Sequence, residues 1–219
     1  MQVEYVDHMG SDKTVVNSAR VSFSKGVYRL SNHEATYYHK DNKLIKYLAK
    51  HKHKSPFGHC FATFYIRAPI FVARQLIKHK FLRWNEESRR YVDTTPNWYR
   101  PDMDWREQTK DKKQGSGGVI EDENIQSLAT FYLNEAIDTS MQSYEKLLGL
   151  GVCEEQARIV LPICHLTEWY WSGSLDAFAD MCILRCAEDA QVESKMVADQ
   201  ISDKMADLFP VSWKELMNE

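Results

Sequence analysis

The most restrictive feature of this chain is a change of period at residue 69. Before it, Cys60, Ala62, Phe64 and Ile66 alternate with Phe61, Thr63, Tyr65 and Arg67, the two-residue repeat of a β-strand. Both faces are largely apolar, so the spacing predicts a well-covered strand. After it, Pro69 sits where a helix can begin, because its missing N–H would have no intrahelical partner there. Ala73, Leu76, Ile77 and Lys80 fall on one side of that helix, and Arg74, Gln75, Lys78 and His79 on the adjoining side. Arg74–Lys78 and Gln75–His79 are i,i+4 pairs, so polar groups converge towards the helix end.

The next stretch, "KHKFLRWNEESRRYVD" at 78–93, interleaves Lys78, Lys80, Arg83, Arg89 and Arg90 with Phe81, Trp84 and Tyr91. Cations among aromatics suit a polynucleotide groove. Asn85, Glu86 and Glu87 suit a smaller and more selectively read ligand. The formal net charge of −3 weighs against the polynucleotide, whose binders carry a basic excess. Locally, the pattern reads as the end of a helix followed by a loop.

Elsewhere the pattern is coarser. Val3 and Tyr5 suggest a short first strand, and a polar, tyrosine-rich loop runs to Lys40. Leu44, Ile45 and Leu48 share a helical face that runs out in "KHKHKSPFGH". "KDKKQGSGG" at 110–118 has the composition of a flexible loop. Ile125, Leu128, Tyr132, Ala136 and Leu147 keep helical phase over 123–148, and Gly149 and Gly151 stop it. A short helix with Ala157, Ile159 and Leu161 runs into Pro162. Ser174 can cap one long final helix with Leu175, Phe178, Cys182 and Ala190 on its stripe.

Several chemistries are disfavoured. The five cysteines form no Cys-x-x-Cys pair, so neither a disulfide framework nor a zinc ribbon is expected. They read as reduced thiols, and no signal pattern precedes them. A cytoplasmic protein is expected, or one made by a virus in its host's cytoplasm. No apolar run approaches the ~20 residues of a membrane span. His51, His53 and His59 lie in a lysine-rich turn, where His53 is better suited to touch a ligand than to hold a metal, and no metal site is expected. There is no glycine-rich dinucleotide turn, no phosphate loop and no nucleophile elbow. Arg185 and Asp189 have the spacing of an exposed helical ion pair. Arg158 is a lone cation in the apolar "ARIVLP" and needs an anionic partner or a ligand. The helix-borne cations at 74–80, 158 and 185 together suit a small anionic ligand with a planar part.

At this point the chain resembles a family, the flavin-dependent thymidylate synthases. The family's hallmark is Arg-His-Arg, seven residues, then Ser. Here it reads Lys78-His79-Lys80, seven residues, Ser88, with Asn85, Glu86, Arg90 and Tyr91 in place. "SARVSF" at 18–23, "SPFGH" at 55–59, "APIFVARQ" at 68–75, "ARIVLP" at 157–162, and Leu184, Arg185, Ala190, Gln191 and Glu193 are similar to its other motifs, in order.

The resemblance implies an α+β fold, a mixed sheet with long helices, in a single domain over 1–219 with a flexible insertion at about 105–121. It implies reductive methylation of dUMP to dTMP. 5,10-Methylenetetrahydrofolate would supply the carbon and NADPH-reduced FAD the hydride, with no protein nucleophile on the uracil. It also implies a homotetramer with sites shared between subunits, and no nucleic-acid or membrane partner. Carried over by position, Arg185 is the catalytic residue, holding the uracil edge and favouring its N3-deprotonated form. Gln75, Lys78, Glu86, Ser88, Arg89, Arg90 and Arg158 would line dUMP with it. His53, Ser55, Lys78, His79, Lys80, Glu86, Ser174, Asp176, Asp180 and Gln191 would serve FAD. The chain departs from the pattern at Lys78 and Lys80, where the family has Arg. It departs too at Arg89, often Gly, at Gly58, often acidic, and at Ser174, Asp176 and Asp180, often Asn or Arg.

Overall fold

The structure, a computed structural model, describes residues 1–22, 39–92, 95–109 and 115–218. The tyrosine-rich loop, Phe23 of "SARVSF" and residues 110–114 of the insertion lie outside the described residues. Four strands form one sheet: β1 (Gln2–Met9), β2 (Phe61–Pro69), β3 (Leu82–Glu86) and β4 (Leu166–Ser174), in the order β1-β2-β4-β3. Every pairing among them is antiparallel, where a mixed sheet was expected. The fold is α+β.

The alternation in β2 does what its period requires. Ala62, Phe64, Ile66 and Ala68 are buried, level with Trp169 and Trp171 of β4. This inner face packs under α3 (Ile70–Leu76), α6 (Leu175–Arg185) and α7 (Val192–Leu208) in one core that also holds Phe178, Val197 and Ile201. α1 (Asp12–Val21), α2 (His39–Lys50) and α8 (Pro210–Met217) close the other end. There the buried Asp12 carboxylate accepts the N–H groups of Val211 and Ser212 at 3.0 and 2.8 Å. It thereby satisfies donors that the start of α8 leaves unpaired. α4 (Glu123–Gly149) stands apart, capped by Asp122 and packed through Tyr144 on Ala157 and Leu161 beside α5 (Glu154–Ala157).

Three expectations change. The helix after Pro69 ends at Leu76, not Lys80, and Phe81 takes a left-handed φ of 66° in the turn that follows. Residues 82–86, expected as loop, are strand β3. Leu82, Trp84 and Glu86 turn inward while Arg83 and Asn85 are exposed, and Trp84 stacks on Trp169 at 4.3 Å. The single final helix is three: α6 stops at Arg185, residues 186–191 turn the chain, and Pro210 opens α8 after a second break. Ala190 therefore sits in a turn, and Arg185 and Asp189 no longer share a helical face.

Candidate active site

The end of α3 and the end of α6 meet. Gln75 lies in the last turn of α3, where carbonyls have no intrahelical acceptor role left to fill. The Arg185 guanidinium supplies the missing donor, with Nη2 reaching the Gln75 backbone oxygen at 3.3 Å. A cation at a helix C-terminus is also favoured by the peptide dipoles. Arg185 Nη1 reaches Gln75 Oε1 at 3.4 Å, and its Nε donates to His79 Nε2 at 2.9 Å. Arginine cannot accept, so His79 Nε2 carries no proton and the neutral ring is protonated on Nδ1. Burial, then the Arg185 charge, pushes the His79 pKa below its ordinary 6.5. The Gln75 amide is held from two further sides: it donates to Gln191 Oε1, and its oxygen accepts from Ser194 Oγ at 3.2 Å.

Gln75, Arg185 and Gln191 wall a cavity of about 650 Å³. Among the described residues, Arg74, Lys78, Arg106 and Arg185 line it against a single carboxylate, Asp189. Its far wall is a short ladder in which Glu107 and Ile120 donate their N–H groups to the carbonyls of Gly118 and Trp105, both at lengths under 3 Å. Arg106 is fixed there by Glu193 of α7 and by Asp104 at 3.0 Å. Tyr99 completes that cluster, its hydroxyl pushed up to about 12 by burial and by the Glu193 charge.

A second cavity of about 390 Å³ shares Arg74 and is lined by Glu86, Glu87, Arg89, Arg158 and His165. Glu86 is held at the sheet edge by Thr167 Oγ1 at 2.8 Å and Trp84 Nε1 at 3.0 Å. Arg158 is exposed, and its Nε reaches only the Glu155 carbonyl, at 3.3 Å. His165 is pushed below 6.5, chiefly by burial. A third, narrow crevice is lined by His53, Asp176 and Asp180. There Ser174 Oγ donates to Asp176 at 2.6 Å, and Lys54 is paired with Asp180.

The expected site residues thus divide among three places. Gln75, Lys78, Arg185 and Gln191 meet at the first cavity, with His79 behind Arg185, and Glu86, Arg89 and Arg158 meet at the second. His53, Ser174, Asp176 and Asp180 meet at the crevice. Ser55, Lys80, Ser88 and Arg90 line none of them. Arg90 stacks over the Tyr91 ring at 5.0 Å and donates to its hydroxyl. Residue spacing gave no role to Arg106, a piece of the wall, or to Glu193, which holds it, because Arg106 arrives on a loop and its partner lies 87 residues away.

A basic, nucleotide-sized cavity between helix ends, above an antiparallel sheet, defines a nucleotide-handling α+β protein. The model of the thymidylate synthase complementing protein family matches residues 4–211, and the chain belongs to that family. It is 36% identical over 217 residues to the flavin-dependent thymidylate synthase of Kosmotoga olearia, covering 99% of this chain and 90% of the relative. Against that of Thermus thermophilus the identity is 36% over 211 residues, covering 96% and 73%. The crystal structure of the UMP/dUMP methylase PolB from Streptomyces cacaoi, bound with 5-Br dUMP, superposes with a TM-score of 0.86 at 32% identity, covering 99% of this chain and 94% of that one.

Proposed function

We propose that this chain is a flavin-dependent thymidylate synthase whose nucleotide enters the cavity between α3 and α6. The carrying observation is the convergence, among the described residues, of four cations and two oriented amides on one cavity with a single carboxylate. Such a donor set suits a phosphate together with a planar imide. The substrate is dUMP and the product dTMP. 5,10-Methylenetetrahydrofolate supplies a methylene group to C5, its carbon–nitrogen bonds break to release tetrahydrofolate, the C5 proton leaves, and a hydride completes the methyl group. FAD, when bound and reduced by NADPH, supplies that hydride, which no side chain can.

The residues present fit FAD by their chemistry. Lys78, His79 and Lys80 form a cationic turn suited to a diphosphate. Asp176 and Asp180 accept hydrogen bonds, so they suit hydroxyl-bearing parts of the cofactor. His53 and Ser174 flank them, Ser55 precedes the same turn, and Glu86 and Gln191 complete the expected set. Arg185 acts on the uracil edge: a fixed guanidinium beside a developing anion stabilises it and needs no reorganisation. Neutral His79 holds Nε, and Gln75 holds the η groups at the cavity wall. Arg74, Lys78 and Arg158, with Arg89 and Arg90, serve the phosphate, and Gln75, Glu86 and Ser88 the base and sugar.

Ser55, Lys80, Ser88 and Arg90 lie outside the three cavities described above, which suits sites completed by another copy. α4 exposes Ile125, Leu128, Phe131 and Tyr132 by half or more, a surface suited to a homotetramer. All five cysteines are free, which supports a cytoplasmic setting, in the cell or in a virus's host. Among the described residues no helix is long and apolar enough to cross a membrane.

Tritium release from 5-tritiated dUMP, with FAD, NADPH and methylenetetrahydrofolate, tests the reading. Release that depends on all three is expected. A folded, flavin-loaded protein that releases none would overturn it. Running UMP in parallel decides whether the ribose 2′-hydroxyl is tolerated, as the name of the Streptomyces cacaoi enzyme suggests for that protein.

A further inference from the structure

Outside the cavities assigned above, α2 and α8 enclose a groove of about 600 Å³ lined by Lys46, Lys50, Lys52, Lys214, Glu215 and Asn218. Its charge is local. Six lysines less one aspartate give residues 40–54 a formal +5 in a chain that totals −3, so the remainder carries −8. Among the described lining residues one acid, Glu215, stands against four lysines, and two neighbouring acids are engaged elsewhere. Asp41 is buried and engaged by Arg20, and Asp180 is taken by Lys54. Among the described residues Lys46, Lys50 and Lys214 form no ion pair. Lys46 and Lys50 are one helical turn apart, and like charges at that spacing cost helix stability unless an anion bridges them. The groove also has a direction. Lys52 lines both the groove and the crevice that holds His53, Asp176 and Asp180, and Leu216 of α8 lines the crevice as well.

We propose that this groove binds the oligo-γ-glutamyl tail of the folate co-substrate, a chain of regularly spaced carboxylates leading away from the reacting pterin. The inference rests on the folate reading above. A flexible chain of carboxylates matches a row of lysines better than it matches arginine, because an ammonium on a long stem adapts to unoriented oxygens. Exposed pairs are individually weak, so the effect comes from several acting together and is screened by salt.

The test compares monoglutamyl and pentaglutamyl methylenetetrahydrofolate in the wild type and in the triple variant Lys46→Gln, Lys50→Gln, Lys214→Gln. All three side chains are exposed, so the variant is expected to fold. The wild type should show a KM about tenfold lower for the pentaglutamate at low ionic strength, the sum expected of a few exposed pairs. The variant should lose that preference and keep the wild-type kcat with the monoglutamate. A preference that is absent in the wild type, or intact in the variant, overturns the proposal. So does a variant in which only the KM for NADPH rises relative to NADH, since the groove would then hold a dinucleotide phosphate. Equilibrium titration with penta-γ-glutamate alone separates the groove from the reaction. Binding by the wild type and not by the variant is expected even if neither folate is turned over, and no binding by the wild type overturns the groove itself.

Discussion

Arg185 Nε and His79 Nε2 lie 2.9 Å apart, joining the last residue of α6 to the turn after α3 across 106 positions of sequence. The contact fixes the guanidinium and leaves its other nitrogens on Gln75 and the cavity. Arg185→Ala should therefore lower kcat by about 10²–10³, the usual loss of one fixed electrostatic donor. Arg185→Lys should recover little of it, because an ammonium cannot hold His79, Gln75 and a uracil edge together. Steady-state rates of tritium release measure both, and an unchanged rate in the alanine variant would remove Arg185 from the reaction.

His79 should titrate below 6.5 in the folded protein. Burial disfavours its imidazolium, the Arg185 charge opposes it further, and only Asp180 pulls the other way. The unfolded chain takes up that proton near 6.5 while the folded chain refuses it. The contribution of His79 is thus fully present above 6.5 and is lost as pH falls through the folded-state value. Urea midpoints measured from pH 8 down to pH 5 should drop more steeply in the wild type than in His79→Gln. Equal slopes would mean the ring is not held neutral.

Lys78 and Lys80 keep the charge of the family's arginines but not the planar fork. The double variant Lys78→Arg, Lys80→Arg should bind FAD about tenfold more tightly, since bidentate charge-assisted bonds replace single ones. Flavin absorbance retained through gel filtration reads this directly. Unchanged or weaker retention would mean that the lysines are already matched to their ligand.

β2 and α4 could be read from the sequence because a sustained period of two, or of 3.6, leaves few alternatives. β3 could not. Its outward positions are Arg83 and Asn85 and its inward ones Leu82, Trp84 and Glu86, so it resembles the charged loop on either side of it. β4 escaped because Trp169, Tyr170 and Trp171 are consecutive aromatics, and a run of that kind has no visible period. The break after Arg185 has no proline or glycine to mark it. In the site, the cations themselves were legible. Their division between two cavities joined by Arg74 was not, since it depends on where β3 sets Glu86 and where the 105–120 ladder sets Arg106.

The pairing of β3 with β4 depends on Gly173. A Cβ there would collide with Leu82 Cδ2 and stand 3.3 Å from the Phe81 carbonyl oxygen. The side chain can turn aside, but the backbone oxygen cannot move without disturbing the left-handed Phe81 turn. Gly173→Ala should destabilise the protein by about 1–3 kcal/mol. It should also raise the KM for dUMP, because β3 carries Glu86. Thermal unfolding with parallel kinetics measures the pair, and a Tm loss without a KM change would separate the strand from the site.

Glu193 is 4% exposed and carries the charge that holds Arg106 to the wall of the first cavity. Glu193→Gln leaves the guanidinium with Asp104, whose side chain is 46% exposed and correspondingly weak as a partner. Losing the stronger of two partners of a partly buried guanidinium costs about 1.5–3 kcal/mol, so the midpoint of urea unfolding should fall with its slope unchanged. The ladder bearing Gly117 and Gly118 should loosen with it, exposing its N–H groups to exchange faster than those of β2. Replacing both partners, Glu193→Leu with Arg106→Leu, should cost less stability than Glu193→Gln alone, because no charge is then stranded. That double variant should still bind dUMP more weakly, since one of the four cations of the cavity is gone. If it binds as tightly as the wild type, Arg106 supports the ladder and contributes nothing to the ligand.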